Sequence, residues 1–565
     1  MHLKRTDVYF LILLVIISLF TVLDLFVNTG RSANMDGLIH ITTIAQFTKA
    51  LQDGDFPVRW LDGFANYGMP IGIFAQQLTS YTGAFINLFF HDPVLSFNII
   101  SLLAVVLSSV FFYLFLRIYF LPITAFLGAF LVNLAPYRIL DLYIRGAIPE
   151  TFSLIFFPLI LISIYYLTKK KRFFAVPLLI ISTALLALSH PMMFVIQMFV
   201  IVPYIFWNIL SEKHRVKTLF LIFGLMFLGT AIAGYYYIPL ELEIKYFFYG
   251  LSKNQLVPNQ TLSLQNFIDP NWYYFMESRN DIFSRGHVIE AGLPEMVGVV
   301  IGLIIVLIHL VRYKLRFLKK LSLFDFAVIL CVPIIFLTTK YSEFIYKHFN
   351  LLSNIQFPWR MFSVFIFLPP IIFAYFSEKI NRNWLTVLFI LFIALIRFPQ
   401  LYGKNYTLYP QNTYYFTTIN LHSNNMNTIW TGQTDLYPVE NKKGAIIEGR
   451  GSIVQATTKN SVRMYIIDAK TKLRMVDYTF YFPGWHVYVD GSEVPIQFQD
   501  PDYRGTITYN VPAGKHTILV QFKDTKVRVL GDIISITAIL LFGALILFER
   551  KIQWFEKFER LKTVS

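Results

Sequence analysis

About twelve apolar stretches, most of them close to twenty residues long, decide what this 565-residue chain can fold into. They fall near 8–27, 97–119, 121–136, 150–168, 174–190, 191–210, 218–239, 294–312, 324–339, 361–377, 384–399 and 529–549. A helix of about 20 apolar residues crosses a hydrocarbon layer roughly 30 Å thick. The chain is 15% charged and 17% aromatic, whereas soluble domains carry roughly a quarter charged residues. The expected fold class is therefore an α-helical polytopic membrane protein with about twelve transmembrane helices. The first stretch, Val8–Val27, follows MHLKRTD and has no small-residue cleavage site after it, so it reads as a retained helix rather than a signal peptide.

The connections between the stretches carry the orientation. Basic clusters occur at Lys4/Arg5, Arg117, 169–172, 212–217, 312–320, 378–382 and 549–551, all on one side if each stretch crosses once. The positive-inside rule then places both termini in the cytoplasm. The net charge of +15 belongs to this pattern and does not point to a nucleic-acid partner. The far side receives 28–96, 137–149, the Ser189-His190-Pro191 turn, 240–293, 340–360 and 400–528, so the protein's work is expected outside the cell membrane. A single cysteine, Cys331, excludes a disulfide within the chain and any CxxC site.

Three regions follow. Residues 1–399 form a transmembrane domain with long outer loops at 28–96 and 240–293, and 400–528 form an extracytoplasmic β-rich domain. Residues 529–565 supply a last helix and a cytoplasmic tail. In the β region, "WHVYVDGSEVPIQF" and "GTITYNVPAGKHTILVQF" alternate with period two around Asp490-Gly491 and Pro512–Lys515 turns, as in a small sandwich. In the first outer loop, Leu38, Ile41, Ile44, Ala45 and Leu51 recur at helical spacing, which predicts an amphipathic helix lying in the membrane interface. The stretch "FPVRWLDGFANYGMPIG", with Arg59, reads as an ordered loop over a cavity.

Ionisable groups at membrane depth are costly, which makes each a candidate for function. Asp36 and His40 sit one helical turn apart at the start of the first outer loop, with Asp24 just before them. "YRILDLYIRGAIPE" brings Arg138, Asp141, Arg145 and Glu150 to the outer ends of two consecutive spans, the first three at spacings that share a helix face. His190 ends the fifth span, Glu295 opens the eighth, and "IQFPWR" places Gln356 and Arg360 before the tenth. Carboxylates can deprotonate a hydroxyl or hold a cation, and arginines can grip a phosphate in a fork. Each has a plainer reading beside this one. Asp36 can be a solvated helix start, the arginines a salt-bridge ladder or snorkelling anchors, and His190 and Glu295 caps.

The segments "MDGLIHI", "FPVRWLDGFANYGMP", "RGAIPE", "SHP", "FPWR" and "FYFPGWHVYVDG…VPAGKHTI" resemble those of YfhO-like bacterial membrane proteins. They also resemble relatives labelled "6-pyruvoyl-tetrahydropterin synthase-related", and both groups are similar to the GT-C superfamily of membrane glycosyltransferases. The resemblance implies a GT-C-like fold that moves a sugar from a polyprenyl-phosphate donor to a cell-envelope polymer such as a teichoic acid. It implies Asp36 as the catalytic acid of the first outer loop, with His40 completing a D-x-x-x-H pattern. The RGAIPE and FPWR arginines become candidates for the lipid phosphate. Gly37 follows Asp36, so the paired acids of several GT-C branches are missing, and a divalent cation (magnesium or manganese) stays open as a cofactor. Pterin chemistry lacks its residues: none of the eleven histidines lies two positions from another. Trp485 and Tyr488 are either sugar-stacking aromatics or sandwich core. The rival functions are a transporter or flippase of lipid-linked sugars and a non-catalytic envelope assembly protein.

Overall fold

The computed structural model describes the chain except residues 1–3, 171–172, 211, 248–260, 263–266, 268–290, 350–351, 353, 404, 417–426, 432–436, 439, 441 and 563–565. Most of the outer loop expected at 240–293 therefore lies outside the described residues. Each of the twelve apolar stretches is helical. We number the helices α1 (Arg5–Val22), α2 (Gly37–Gln52), α3 (Gln77–Phe90), α4 (Pro93–Leu116), α5 (Pro122–Asn133), α6 (Pro136–Arg145) and α7 (Ile148–Lys170). There follow α8 (Ala175–Ser189), α9 (Pro191–Ile209), α10 (Arg215–Ile232), α11 (Gly234–Glu243), α12 (Leu293–Tyr313), α13 (Leu323–Thr338), α14 (Pro358–Ile380), α15 (Asn383–Gln400) and α16 (Lys526–Lys562).

Among the described residues, nine helices are long and apolar enough to cross a membrane, and α5 with α6, bent by 41° at their break, brings the number to ten if the pair is counted as one span. The apolar helices α8 and α13 are shorter. Proline opens α4, α5, α6, α9 and α14 at positions where the missing N–H costs nothing. The chain's alternation is visible in the contacts of the two bundle ends. At one end Arg117 pairs with Asp7 at 2.5 Å, Glu378 accepts from the Leu121 N–H, and Lys169 reaches the Asn208 carbonyl. At the other, the Gly403 N–H and the Tyr406 hydroxyl bind Asp24, Arg397 meets Glu295, and Arg528 meets Glu243.

Among the described residues the strands begin at Gly444. Eight of them, β1 (Gly444–Glu448), β2 (Gly451–Thr458), β3 (Val462–Ala469), β4 (Leu473–Phe480), β5 (Trp485–Val489), β6 (Ser492–Val494), β7 (Thr506–Val511) and β8 (Gly514–Phe522), form two antiparallel sheets. Their orders are β1-β4-β7 and β2-β3-β8-β5-β6. Inward residues such as Tyr465, Ile467, Met475, Val487, Tyr509 and Val520 fill the space between them, as the period-two pattern requires. The loop after α2 belongs to the same core: Trp60 packs edge-on against Trp485, and Tyr67 stacks on Phe480.

The interfacial placement expected for Asp36–Leu51 is not what the fold does with α2. Ile41 to Thr48 are buried without a break, because α3, α4 and the residues around Tyr414 cover the helix on several sides. Its apolar stripe faces protein. A stripe of this kind marks burial but not the medium that supplies it.

Candidate functional site

Four pieces of chain meet at the bundle end that carries the β-domain, and Glu150 lies at their centre. Glu150 sits in the first turn of α7, after the sharp turn in which Gly146 adopts φ +64°, a left-handed conformation that ends α6. Its carboxylate takes a forked pair of hydrogen bonds from Arg145, Nη1 to Oε2 at 2.7 Å and Nη2 to Oε1 at 2.8 Å. Arg360 approaches the same Oε1 with Nε at 2.9 Å, and the Tyr137 hydroxyl donates to Oε2 at 3.1 Å. Arg145 also donates from Nη1 to Asp141 at 2.6 Å. The last turns of α6, Leu140–Arg145, are a π-helix. The extra residue of a π turn interrupts the regular face expected for Arg138, Asp141 and Arg145.

The two arginines are held flat as well as at their edges. Arg145 lies over the Trp359 ring at 4.8 Å, Arg360 lies over Phe357 at 4.8 Å, and the two rings stack 5.0 Å apart. This accounts for the order of residues in FPWR: two aromatic planes and a guanidinium on one short turn. Gln356, at φ +64°, accepts from Arg360 Nη1 at 2.9 Å.

His190 closes another side. As the N-cap of α9 it accepts the Met192 and Met193 N–H groups on Nδ1, so the ring proton resides on Nε2, which is 4.0 Å from Glu150 Oε1. It is both the cap and a member of the cluster.

Asp36 is attached by its backbone. Its N–H donates to the Arg145 carbonyl at 2.7 Å and that of Met35 to Ile144 at 3.1 Å, a short bridge between the first loop and α6. The Asp36 carboxylate stands 4.0 Å from Arg145 Nη2 and is 40% exposed, whereas Glu150 and Asp141 are almost fully covered. His40 follows one turn along α2. The residue is half-buried, and the protein packed around it pushes the imidazole down to about 4, an effect that Asp36 and Glu150 oppose and Arg145 reinforces. His40 is thus neutral at physiological pH. The cluster offers an open carboxylate beside Arg145, whose guanidinium shares the buried Glu150 with Arg360.

Four of the ionisable candidates lie elsewhere. Arg59 donates to the Tyr235 carbonyl and Asp532, both at 2.7 Å, and fastens the first loop to α11 and α16. Arg138 turns toward the Val105 carbonyl at 3.5 Å; its Nε and Nη2 are buried with no hydrogen-bond partner among the described residues. Glu295 pairs with Arg397 at 3.3 Å and lines a small apolar cavity behind Tyr137. Asp24 clasps Gly403 and Tyr406. Trp485 is sandwich core. Tyr488 faces outward with Lys523 over its ring, in an open groove that also contains Met464 and Leu519.

The donor set for a divalent cation is not assembled: no three His, Cys, Asp or Glu side chains are grouped as metal ligands among the described residues. Glu150, the best placed acid, spends its oxygens on arginine. The sequence reading missed Tyr137 and Trp359, although both stand inside the stretches it singled out. It also missed Asn34, whose side chain accepts the Gly37 N–H at 2.9 Å and lies against Gly146.

Comparison with known proteins gives a family and a distant structural likeness. No curated protein matches the chain. Among solved structures, the apo crystal structure of the Archaeoglobus fulgidus oligosaccharyltransferase is similar at 15% identity and a TM-score of 0.40, over 77% of this chain and 62% of that one. The chain thus spans less than two thirds of that neighbour's length. The family described as "6-pyruvoyl-tetrahydropterin synthase related domain; membrane protein" matches residues 76–406, which include Arg145, Glu150, His190 and Arg360. The match covers more than half of the sequence, and the chain belongs to this family of membrane proteins.

Proposed function

We propose that the protein is a GT-C-like membrane glycosyltransferase, moving a sugar from a polyprenyl-phosphate donor to a hydroxyl of an extracytoplasmic cell-envelope polymer. The observation that carries this reading is the convergence of Asp36, His40, Asp141, Arg145, Glu150, His190, Gln356 and Arg360 from four separate stretches. The acceptor oxygen attacks the anomeric carbon while the bond from that carbon to the phosphate oxygen breaks. Asp36 takes the acceptor proton, and polyprenyl phosphate leaves with the bonding electrons. Arg145 and Arg360 steady its charge through N–H groups not spent on Glu150. One displacement inverts the anomeric centre. Glu150 acts as a positioning residue, since it orients both arginines without facing the open side. No step is assigned to a metal.

In this reading the β-domain end lies outside the cell membrane and both termini are cytoplasmic. Support comes from the basic clusters, whose neighbours Arg117, Lys169 and Glu378 make their contacts at the opposite end. The test is transfer of radiolabelled sugar in proteoliposomes loaded with polyprenyl-phosphate sugar, comparing the parent with Asp36→Ala. Loss of transfer with donor binding retained supports the assignment. Full turnover by Asp36→Ala removes the base, and movement of the donor across the bilayer without transfer replaces the enzyme with a transporter.

A further inference from the structure

Helix α3 carries a feature that the proposed reaction does not use. Its fourteen residues, QLTSYTGAFINLFF, contain no Asp, Glu, Lys or Arg, yet Phe85, Phe89 and Phe90 are 62%, 68% and 57% exposed. Phe85 and Phe89 stand one turn apart with ring centroids 5.3 Å from each other. Tyr81 continues the row, and Phe56, 78% exposed, lies beside it at 5.8 Å. The opposite face is polar and closely packed: Asn87 donates to Thr48 of α2 and to the Tyr415 hydroxyl, each at 2.9 Å.

The position of this face relative to the bilayer follows from the next helix. Only His91 and Asp92 separate α3 from α4. His91 is left-handed at φ +53°, and Asp92 caps α4 by accepting the Val94 and Leu95 N–H groups. The chain therefore doubles back, and Gly83 lies against Ile100 and Ile44, where a Cβ would stand 3.0 and 2.5 Å from their side chains. The 24 residues of α4 make a helix of about 36 Å, against roughly 30 Å of hydrocarbon. At most about four residues of α4 then project beyond the apolar layer, so Ile100 lies within it. Phe85, Phe89 and Phe90 fall between the level of Gly83 and the joint, at the outer boundary of the hydrocarbon. Aromatic side chains concentrate at that depth.

We infer that α3 is a re-entrant helix whose Phe85, Phe89 and Phe90 face the acyl chains of the leaflet on the β-domain side. Its other face supports α2, the helix that Asp36 opens. The occupant is lipid rather than a protein partner because the exposed face adjoins a spanning helix directly and carries no charge. The inference does not depend on sugar transfer.

Spin labelling of the full chain in lipid nanodiscs tests it. Phe85→Cys and Phe89→Cys are made in a Cys331→Ser background, with Phe227→Cys on α10 as a lipid-facing reference and Val454→Cys on β2 as an aqueous one. The labels at 85 and 89 are expected to be relaxed several times more by oxygen than by a water-soluble nickel chelate, as at 227. A label at either site that responds like the one at 454 overturns the inference, and so does a label shielded from both reagents, which indicates a protein cover.

Discussion

Two buried clusters of carboxylates and arginines lie near the two ends of α2, and their difference separates a candidate site from a joint. One is centred on Glu150. The other holds the loop after α2 to the β-domain: Asp62 contacts Arg463 and lies 3.0 Å from Lys443, and Asp477 accepts from the Tyr465 hydroxyl at 2.7 Å. Burial alone would raise the Asp62 carboxyl, but Arg463 and Lys443 hold it below the usual carboxylate range. Asn460 adds hydrogen bonds to Asp53, Asp55, the Trp60 carbonyl and the Asp62 N–H. Asp62, Arg463, Asp477 and Asn460 are all buried in that cluster. The Glu150 cluster has the same chemistry at its centre but an open edge, where Asp36 is 40% exposed and His40 is half-buried. Buried ion pairs are weak evidence of function, since they serve packing as often as chemistry. An exposed acid beside a buried, oriented one is a different arrangement.

Substitutions can break this contrast. The largest effect is expected at Asp36→Asn, which should lower sugar transfer by about 10²–10⁴-fold, the range of a lost general base, without moving the unfolding temperature. If transfer survives, the open edge is not catalytic. Asp62→Asn should behave in the opposite way. It leaves Arg463 and Lys443 buried with less compensation, a loss of about 3–5 kcal/mol that thermal unfolding in detergent reads directly, while kcat of the remaining folded protein stays near the parent's. Glu150→Gln belongs to both kinds: unfolding should come earlier and transfer should fall, because Arg145 and Arg360 lose their shared anchor.

The smaller effects sharpen the same contrast. Between about pH 4 and 6.5 the unfolded His40 binds a proton that the folded imidazole does not, so folding stability rises with pH in that window and is lost on acidification. His40→Gln should therefore flatten the acid side of the stability profile, by at most about 3 kcal/mol. Arg138→Met is expected to change least. It replaces a buried guanidinium that has two unpartnered nitrogens with a side chain of similar length, and such exchanges are often neutral or stabilising. A large loss of transfer by this variant would return Arg138 to the site.

The RGAIPE and FPWR stretches were legible as a pair because each packs its chemistry into a few residues. Arg145 and Glu150 are close in sequence, and Arg360 carries its own aromatic supports in Phe357 and Trp359. The misplacement of Arg138 came from assuming a regular helical face where the backbone widens into a π turn. The misplacement of α2 has a different source. An amphipathic stripe looks the same whether lipid or another helix covers it, and here the lipid-facing aromatics sit on α3.

By itself the sequence determined the class of fold. Twelve apolar stretches with basic residues on alternate connections admit only a helical bundle, because backbone polar groups in lipid must be satisfied within each segment. Period-two alternation likewise determined the sandwich. Only the tertiary structure decided which charged groups meet. Asp62 and Arg463 are 401 positions apart and nothing local announces their contact. Asp36 comes within reach of Arg145 through two backbone hydrogen bonds that any residues could make. Local pattern fixes what each segment must bury; long-range packing selects the partner that buries it.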